Sequence, residues 1–421
     1  PKISVTDLSE YNFPTIINNK ISIPEIKFDR TYIEDCMGIY VEACIARNLN
    51  CLKNNYKLIK GNDNLTYLEG DIYHHNINCN NKSFDDVKEI FKDINESDDN
   101  PEYKYVRAMY VSNIKRDWSV SEKLRGISFV IDPYIDLIKS LLIGSEIKHQ
   151  QYIKYQVPID RSDKIAGEIR GVFDLSNDKG IIEIKHAYDS YKHHNQTAIY
   201  SFITQNPSYL LNTLIGFCGE VTLNMSRSQF NHYIRAIFMI REAHLIRTGS
   251  TVYLPRDIVI VLDTEFYHNK IYEIGAIIMD VSNMKILDIY QKTSGCIDKY
   301  DENDKFSQLT GLKITNYNNN ITDFNDFYQL ISKYPNSPIV QWGLCDTHLL
   351  GLNTRETIDL SDKYRKHKSI NNPKFNPIKS GYRLIDAVES LFPPSFNWEP
   401  HRAFEDAIMT AGVYYALAVP R

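Results

Sequence analysis

The run Ile258-Val259-Ile260-Val261-Leu262-Asp263-Thr264-Glu265 is the most telling stretch of this chain. Its five consecutive apolar residues read as a short strand buried on both faces. Directly after them Asp263 and Glu265 stand two apart, and side chains two apart on a strand point to the same face. Both carboxylates can therefore converge on one metal site. Alone, such a pair is more often an ordinary acidic strand end, so its meaning depends on what surrounds it.

Working outward, a second apolar run at 271–279 reads as the hairpin partner, with His268-Asn269-Lys270 supplying the turn. A further strand is expected at 338–341 and helices at 384–392 and 403–418, which together make an α/β domain. Upstream, residues 248–256 (TGSTVYLPR), punctuated by Gly249 and Pro255, read as a linker. The expected organisation is an N-terminal domain at 1–247 with helical and loop additions, the linker at 248–256 and a C-terminal domain at 257–421. A length of 421 residues is too great for one ordinary domain and agrees with such a division.

More acids follow in the C-terminal part. Asp346 lies just past the strand in Val340-Gln341-Trp342-Gly343-Leu344-Cys345-Asp346, and His401 and Asp406 stand at the entrance of the last helix in Pro400-His401-Arg402-Ala403-Phe404-Glu405-Asp406-Ala407. Cleaving a phosphodiester in line requires stabilising both the attacking and the leaving oxygen. Two divalent ions ~3.5–4 Å apart supply that, and carboxylates suit magnesium or manganese. Taken singly, His401 could be a helix-cap residue, Asp406 an acid favoured by the helix dipole, and Trp342 a core residue. Their occurrence together and in this order argues against coincidence.

On these residues the C-terminal part resembles a DEDDh exonuclease of the DnaQ-like superfamily, with a ribonuclease-H-like α/β fold. It looks most like the RNA-trimming branch related to histone-mRNA 3′-end exonucleases, whose Leu-Thr-Gly element appears as Leu309-Thr310-Gly311 and whose Trp-Gly appears as Trp342-Gly343. The resemblance covers about the last two-fifths of the chain. It implies that Asp263, Glu265, Asp346 and Asp406 ligate two Mg2+ or Mn2+ ions and that His401 takes a proton from the attacking water. An imidazole with an unperturbed pKa of ~6.5 suits that task. It further implies that Leu309 and Thr310 contact the 3′-terminal base and that nucleoside monophosphates are released stepwise in the 3′→5′ direction.

The N-terminal part carries a second constellation. Asp174 in Gly171-Val172-Phe173-Asp174 closes one expected strand, Asn177-Asp178-Lys179-Gly180 makes a turn, and Ile182-Glu183-Ile184-Lys185 forms the next strand. Glu183 and Lys185 share one face, where Asp and Glu can ligate a metal and Lys can orient water. An alternating Ile-Glu-Ile-Lys strand is otherwise a common half-exposed surface strand. A helix is expected from about His193 to Thr204, with Gln196 and Tyr200 four apart on one side. Residues 32–47 also have helical spacing, and they include Glu42 after Gly38. Residues 76–100 are rich in Asn and Asp and read as loop or edge.

These motifs resemble the PD-(D/E)XK nucleases, in particular the RecB-like and lambda-exonuclease-like branch with its Gln-x-x-x-Tyr. The family's proline is replaced by Phe173. The resemblance implies a restriction-endonuclease-like α/β core within residues 30–205, with one or two Mg2+ or Mn2+ ions held by Asp174, Glu183 and Glu42. Lys185 is then catalytic, and Gln196 and Tyr200 support the substrate. Glu34 and Glu146 compete with Glu42 for the upstream acid. Some relatives hold an iron–sulfur cluster on four cysteines, but only Cys218 follows the Gln-x-x-x-Tyr segment before the linker, so no cluster is expected.

Bulk composition constrains rather than decides. A net charge of −5 gives no global sign of nucleic-acid binding, although a metal-dependent nuclease gathers acids in its site and places basic residues locally. The seven cysteines form no C-x-x-C pair, which argues for reduced thiols in an intracellular protein, cytoplasmic or at the nucleoid or nucleus. Abundant Asn, Ile, Lys and Tyr hint at an AT-rich genome, as in a virus or phage. No apolar stretch reaches the ~18 residues of a membrane span. The expected partner is nucleic acid, DNA or RNA, with no membrane; an oligomer or processing complex stays open.

Overall fold

A computed structural model describes the chain except residues 27–33, 53–56, 61–65, 70–83, 98–99, 113–123, 125–126, 128, 160–163, 247–252, 256, 319, 372–382, 394–400 and 420–421. Most of the expected linker, 248–252 and 256, therefore lies outside the described residues. Contacts divide the chain into two units. One joins Pro1–Lys2, Gln156–Glu168 and Met225–Arg421, and the other joins Ile3–Tyr155 and Ile169–Asn224. The helix Arg227–Ile246, which precedes the linker in sequence, thus groups with the C-terminal half. Both units mix helices and sheet. Among the described residues no helix is long and apolar enough to cross a membrane.

The unit holding Met225–Arg421 is built on a five-stranded sheet in the order Lys285–Thr293, Lys270–Asp280, Ile258–Tyr267, Ile339–Gln341, Thr357–Asp359. The first three strands are antiparallel and the last two join in parallel. The hairpin turns through His268 (φ 49°) and Asn269 (φ 60°), the two left-handed positions that a two-residue turn of this hand requires. Ile260, Leu262, Ile274, Ala276, Ile278 and Ile339 form a core with Phe324, Phe327 and Ile331.

The last helix, Ala403–Ala418, is buried at every residue except Asp406, as expected of a helix that is apolar on most of its faces. Its start lies against the sheet at Gly275, where an added Cβ would fall 2.2 Å from the Phe404 nitrogen. Gly275 faces Asp263 across the hairpin, so this close approach brings the helix entrance, and with it Asp406, over the strand that carries Asp263. The helix Arg227–Ile246 packs alongside. Its Arg235 forms a buried two-pronged ion pair with Glu405, and Tyr233 donates to the Ile286 carbonyl at 3.1 Å.

The other unit carries most of the residues of a seven-stranded sheet. Its strands run in the order Lys2–Ser4, Ile165–Ser176, Ile181–Lys185, Ser208–Asn212, Phe217–Leu223, Thr15–Ser22, and Lys148–Pro158 also pairs with Ile165–Ser176. Ile181–Lys185 and Ser208–Asn212 are parallel and are joined by the crossover helix Tyr191–Thr204. Leu175, Ile182, Ile184 and Leu211 pack with Met37, Tyr40, Val41 and Ile45 of helix Glu34–Asn48 and with Tyr134, Ile135 and Ile138 of helix Asp132–Leu141.

One expectation fails here. Residues 76–100, read as loop or edge, contain the helix Phe84–Glu96. Apolar residues at 84, 87, 91 and 94 follow helical spacing within an acidic, Asn-rich stretch, and Phe91 and Ile94 are buried against Ala43, Tyr105 and Ala108.

Candidate active sites

Strand Ile258–Tyr267 presents Asp263 and Glu265 on one face, and the helix entrance adds Asp406. Carboxylate oxygens of these three lie within 4.8 Å of one another, the only such group of three candidate ligands among the described residues. All three side chains are half-buried, and hard oxygen donors at this spacing fit a divalent cation. Asp346, 6% exposed, accepts from the Thr264 nitrogen at 3.1 Å and the Thr264 hydroxyl at 2.6 Å. Asp346 opens the short helix Cys345–Leu349, which Gln341 ties back through Thr347 by two hydrogen bonds of 3.0 and 3.1 Å. Gly343, at φ 101°, supplies the left-handed turn into it.

Electrostatics around the four acids is one-sided. Burial, then the charges of Asp346, Asp406, Glu265 and Glu273, hold Asp263 well above the ordinary carboxylate range. Burial, then Asp406 and Glu273, does the same to Glu265. Burial pushes Asp406 up to about 7 against the His401 backbone N–H, which donates to both its oxygens at 3.3 Å. Burial also raises Asp346 despite the Thr264 hydrogen bonds. Carboxylates packed with so little compensation leave the site short of positive charge.

Glu273, opposite Glu265 in the hairpin and fully buried, was not singled out by sequence reasoning. It accepts from Arg402 at 2.7 and 2.9 Å and from the Ala403 nitrogen at 3.1 Å, anchoring the segment between His401 and Asp406. His401 is exposed and sits in the left-handed region at φ 68°. Leu309 is 53% exposed at the end of helix Lys305–Thr310. Thr310 is instead buried, its hydroxyl donating to the Phe306 carbonyl at 2.8 Å and accepting from the Leu312 nitrogen at 3.0 Å, so it closes the helix end.

The second constellation also assembles in space. Glu183 is 1% exposed, far from the half-exposed surface strand its alternation would otherwise suggest. Its Oε1 accepts from Lys185 at 2.5 Å and Gln196 at 2.7 Å. Its Oε2 is buried with no hydrogen-bond partner in the structure described, an acceptor left for a cation or a water. Asp174 accepts from the Ile184 nitrogen at 2.7 Å. Glu42, buried on helix Glu34–Asn48, joins the cluster through Gln150, whose amide donates to Glu42 at 2.6 Å and to Asp174 at 3.2 Å. Glu146 is exposed elsewhere, and the Glu34 side chain lies outside the described residues. Tyr200 turns its hydroxyl to the Val172 carbonyl at 2.7 Å and not to the acids.

Charge balance differs at this second cluster. Burial, then Glu183 and Glu42, holds Asp174 well above the ordinary range, and burial raises Glu183 against the pull of Lys185. Burial works against the Lys185 ammonium, but the charges of Glu183 and Asp174 outweigh it and keep Lys185 protonated. Burial is likewise outweighed at Glu42, where His149, Gln150 and Tyr105 hold the carboxylate below its usual value. Sequence reasoning missed these three donors. Nothing in a residue pattern links Tyr105 to a glutamate 63 positions earlier.

No family model and no curated protein matches the chain. Solved structures that it resembles include a full-length 3′-exonuclease, at 16% identity over 39% of this chain and 81% of that one, with a TM-score of 0.29. Another is the nuclease domain of 3′hExo, a DEDDh family member bound to rAMP, at 15% identity over 40% of this chain and 92% of that one, with a TM-score of 0.29. A third is a 3′-exonuclease in 3′-end-specific recognition of a histone mRNA stem-loop, at 15% identity over 39% and 81%, with a TM-score of 0.28.

Proposed function

We propose that this chain is a metal-dependent nuclease whose C-terminal site removes nucleoside monophosphates from 3′ ends of nucleic acid, as DEDDh exonucleases do. The observation that carries this reading is the convergence of Asp263, Glu265 and Asp406 on one point, with Asp346 buried beside them. These four would hold two Mg2+ or Mn2+ ions. Bound there, such ions supply the positive charge that stabilises both the attacking and the leaving oxygen. Thr264 aims Asp346, and the Glu273–Arg402 pair fixes the segment that presents His401. His401 takes the proton of the attacking water as the water oxygen bonds to phosphorus and the bond to the 3′ oxygen breaks. Exposed Leu309 offers an apolar contact for the terminal base, a part that buried Thr310 can share only through its backbone.

For the N-terminal unit the reading is a PD-(D/E)XK nuclease of RecB-like type with a restriction-endonuclease-like core. Glu42, Asp174 and Glu183 would be the ligands of one or two ions, Lys185 would orient water and Gln196 would steady Glu183. Four chain segments bring these groups together, and the unpartnered Glu183 oxygen suits a cation. A second reading makes this unit a nucleic-acid-binding platform or a scaffold in a processing complex. It is favoured by the Gln150 amide, which already satisfies Glu42 and Asp174.

A panel of 5′- and 3′-labelled single- and double-stranded DNA and RNA, digested with Mg2+, tests both. Asp263→Ala should abolish 3′ trimming, and trimming at the wild-type rate would refute the C-terminal assignment. Lys185→Ala should remove a separate cleavage. Unchanged cleavage of every substrate with altered affinity would make the N-terminal unit a platform.

A further inference from the structure

Strand Lys148–Pro158 breaks the rule of alternation at one point. On a regular strand, neighbouring side chains point to opposite faces. Here consecutive His149 and Gln150 are both buried, 4% and 5% exposed, and both reach the same oxygen of Glu42, at 2.8 and 2.6 Å. Gln150 lies in the left-handed region at φ 52°, which turns its side chain inward beside that of His149. For a residue with a Cβ this conformation is energetically costly. A glutamine held there at such a cost points to a task for its side chain.

The task follows from what a primary amide can do. Its NH2 end only donates and its carbonyl end only accepts. Between the carboxylates of Glu42 and Asp174 without a cation, the NH2 end must face them, as it does. With a divalent cation on the same carboxylates the NH2 would be repelled, and the carbonyl oxygen is a hard ligand for such an ion. The terminal torsion of glutamine is soft and nearly two-fold, so a half-turn exchanges the two ends. Glu183, with its buried unpartnered Oε2, independently marks the place as one that wants a cation.

We infer that Gln150 is a cation-responsive ligand of the N-terminal site, bridging Glu42 and Asp174 as a donor until an ion arrives and then turning its carbonyl oxygen onto it. This rests on the reading of Glu42, Asp174 and Glu183 as metal ligands. Tyr105 and His149 hold the same Glu42 oxygen, so the glutamate stays placed while Gln150 turns.

The test uses the full chain carrying Asp263→Asn and Glu265→Gln to empty the other site, with Mn2+ as the probe. Free Mn2+ is followed by electron paramagnetic resonance and folding by circular dichroism. Gln150→Asn keeps an amide and tolerance of the left-handed backbone but is one methylene short. Gln150→Met keeps the length without polarity. Both should weaken Mn2+ binding by ~10–100-fold, the usual effect of losing a group that tunes a metal site. Gln150→Glu should instead tighten it by adding a carboxylate. A merely structural role would make all three bind more weakly. The inference is overturned if the asparagine and methionine variants bind as the parent does, or if the glutamate variant binds as weakly as the methionine one. If the parent itself takes up no Mn2+ and Asp174→Asn changes nothing, the reading of the site fails and the inference falls with it.

Discussion

Asp263→Asn should stabilise the metal-free protein while abolishing the proposed 3′ trimming. In the absence of ions the C-terminal acids repel one another, and burial raises them further: Asp406 moves from its ordinary 3.8 to about 7, and Asp263 and Glu265 are held well above their usual range. An acid that is harder to ionise when folded keeps its full stabilising contribution below its unfolded value. That contribution is lost as pH rises through the folded value, here between about 4 and 7 for Asp406. At 1.36 kcal/mol per pH unit the Asp406 displacement alone would be worth ~4 kcal/mol. The acids share protons and are partly open to solvent, so removing one charge should recover roughly 2 kcal/mol near neutral pH. For a unit of this size that is a rise in Tm of ~4–8 °C. Thermal melts with a chelator should show this gain near pH 8 and little difference near pH 4, well below the raised Asp406 value. Adding Mg2+ should raise the wild-type Tm by clearly more than that of the variant, which keeps only the N-terminal site intact. A variant that melts no higher than wild type near pH 8, or equal Mg2+ shifts in both, would refute the account of a strained acid cluster.

Two further substitutions probe how the site is positioned. Gly275→Ala places a methyl group 2.2 Å from the Phe404 nitrogen, a backbone atom that cannot step aside, so denaturant melts should show a loss of about 3 kcal/mol or more, with 3′ trimming lost in parallel. Arg235→Met leaves Glu405 buried and unpaired and should cost about 3–5 kcal/mol, whereas Arg235→Met with Glu405→Met should recover most of it, a comparison for urea denaturation.

What was legible in the sequence was local. The apolar run before Asp263 announces its strand, His268-Asn269 its turn, and the largely apolar helix from Ala403 the buried element that delivers Asp406. Two-residue periodicity puts Asp263 with Glu265, and Glu183 with Lys185, without any knowledge of the rest. The supports of these acids are not local. Thr264 reaches Asp346 across 82 positions, Arg402 reaches Glu273 across 129, and Arg235 reaches Glu405 across 170. No periodicity encodes such pairs, which explains why Glu273 and Arg235 went unremarked. Helix Phe84–Glu96 was hidden for another reason, because its polar composition masks a narrow apolar stripe. Gln150 was hidden because a left-handed glutamine leaves no mark on the residue pattern around it.

The two clusters answer one electrostatic problem in different ways. Each gathers buried carboxylates, which is costly unless positive charge or donors accompany them. The N-terminal cluster carries its own compensation: the Lys185 ammonium and Gln196 on Glu183, the Ile184 nitrogen on Asp174, and Tyr105, His149 and Gln150 on Glu42. In the C-terminal cluster the full cation, Arg402, is committed to Glu273, and the neutral donors Thr264 and the His401 N–H serve Asp346 and Asp406. Removing an acid therefore has different consequences. At Asp174 the relief of repulsion from Glu183 and Glu42 is set against lost partners for the Ile184 nitrogen and Gln150, whereas at Asp263 repulsion from four neighbouring carboxylates is relieved. A site left this acidic is poised for external cations, while the other can stand closed on its own side chains until an ion turns the Gln150 amide.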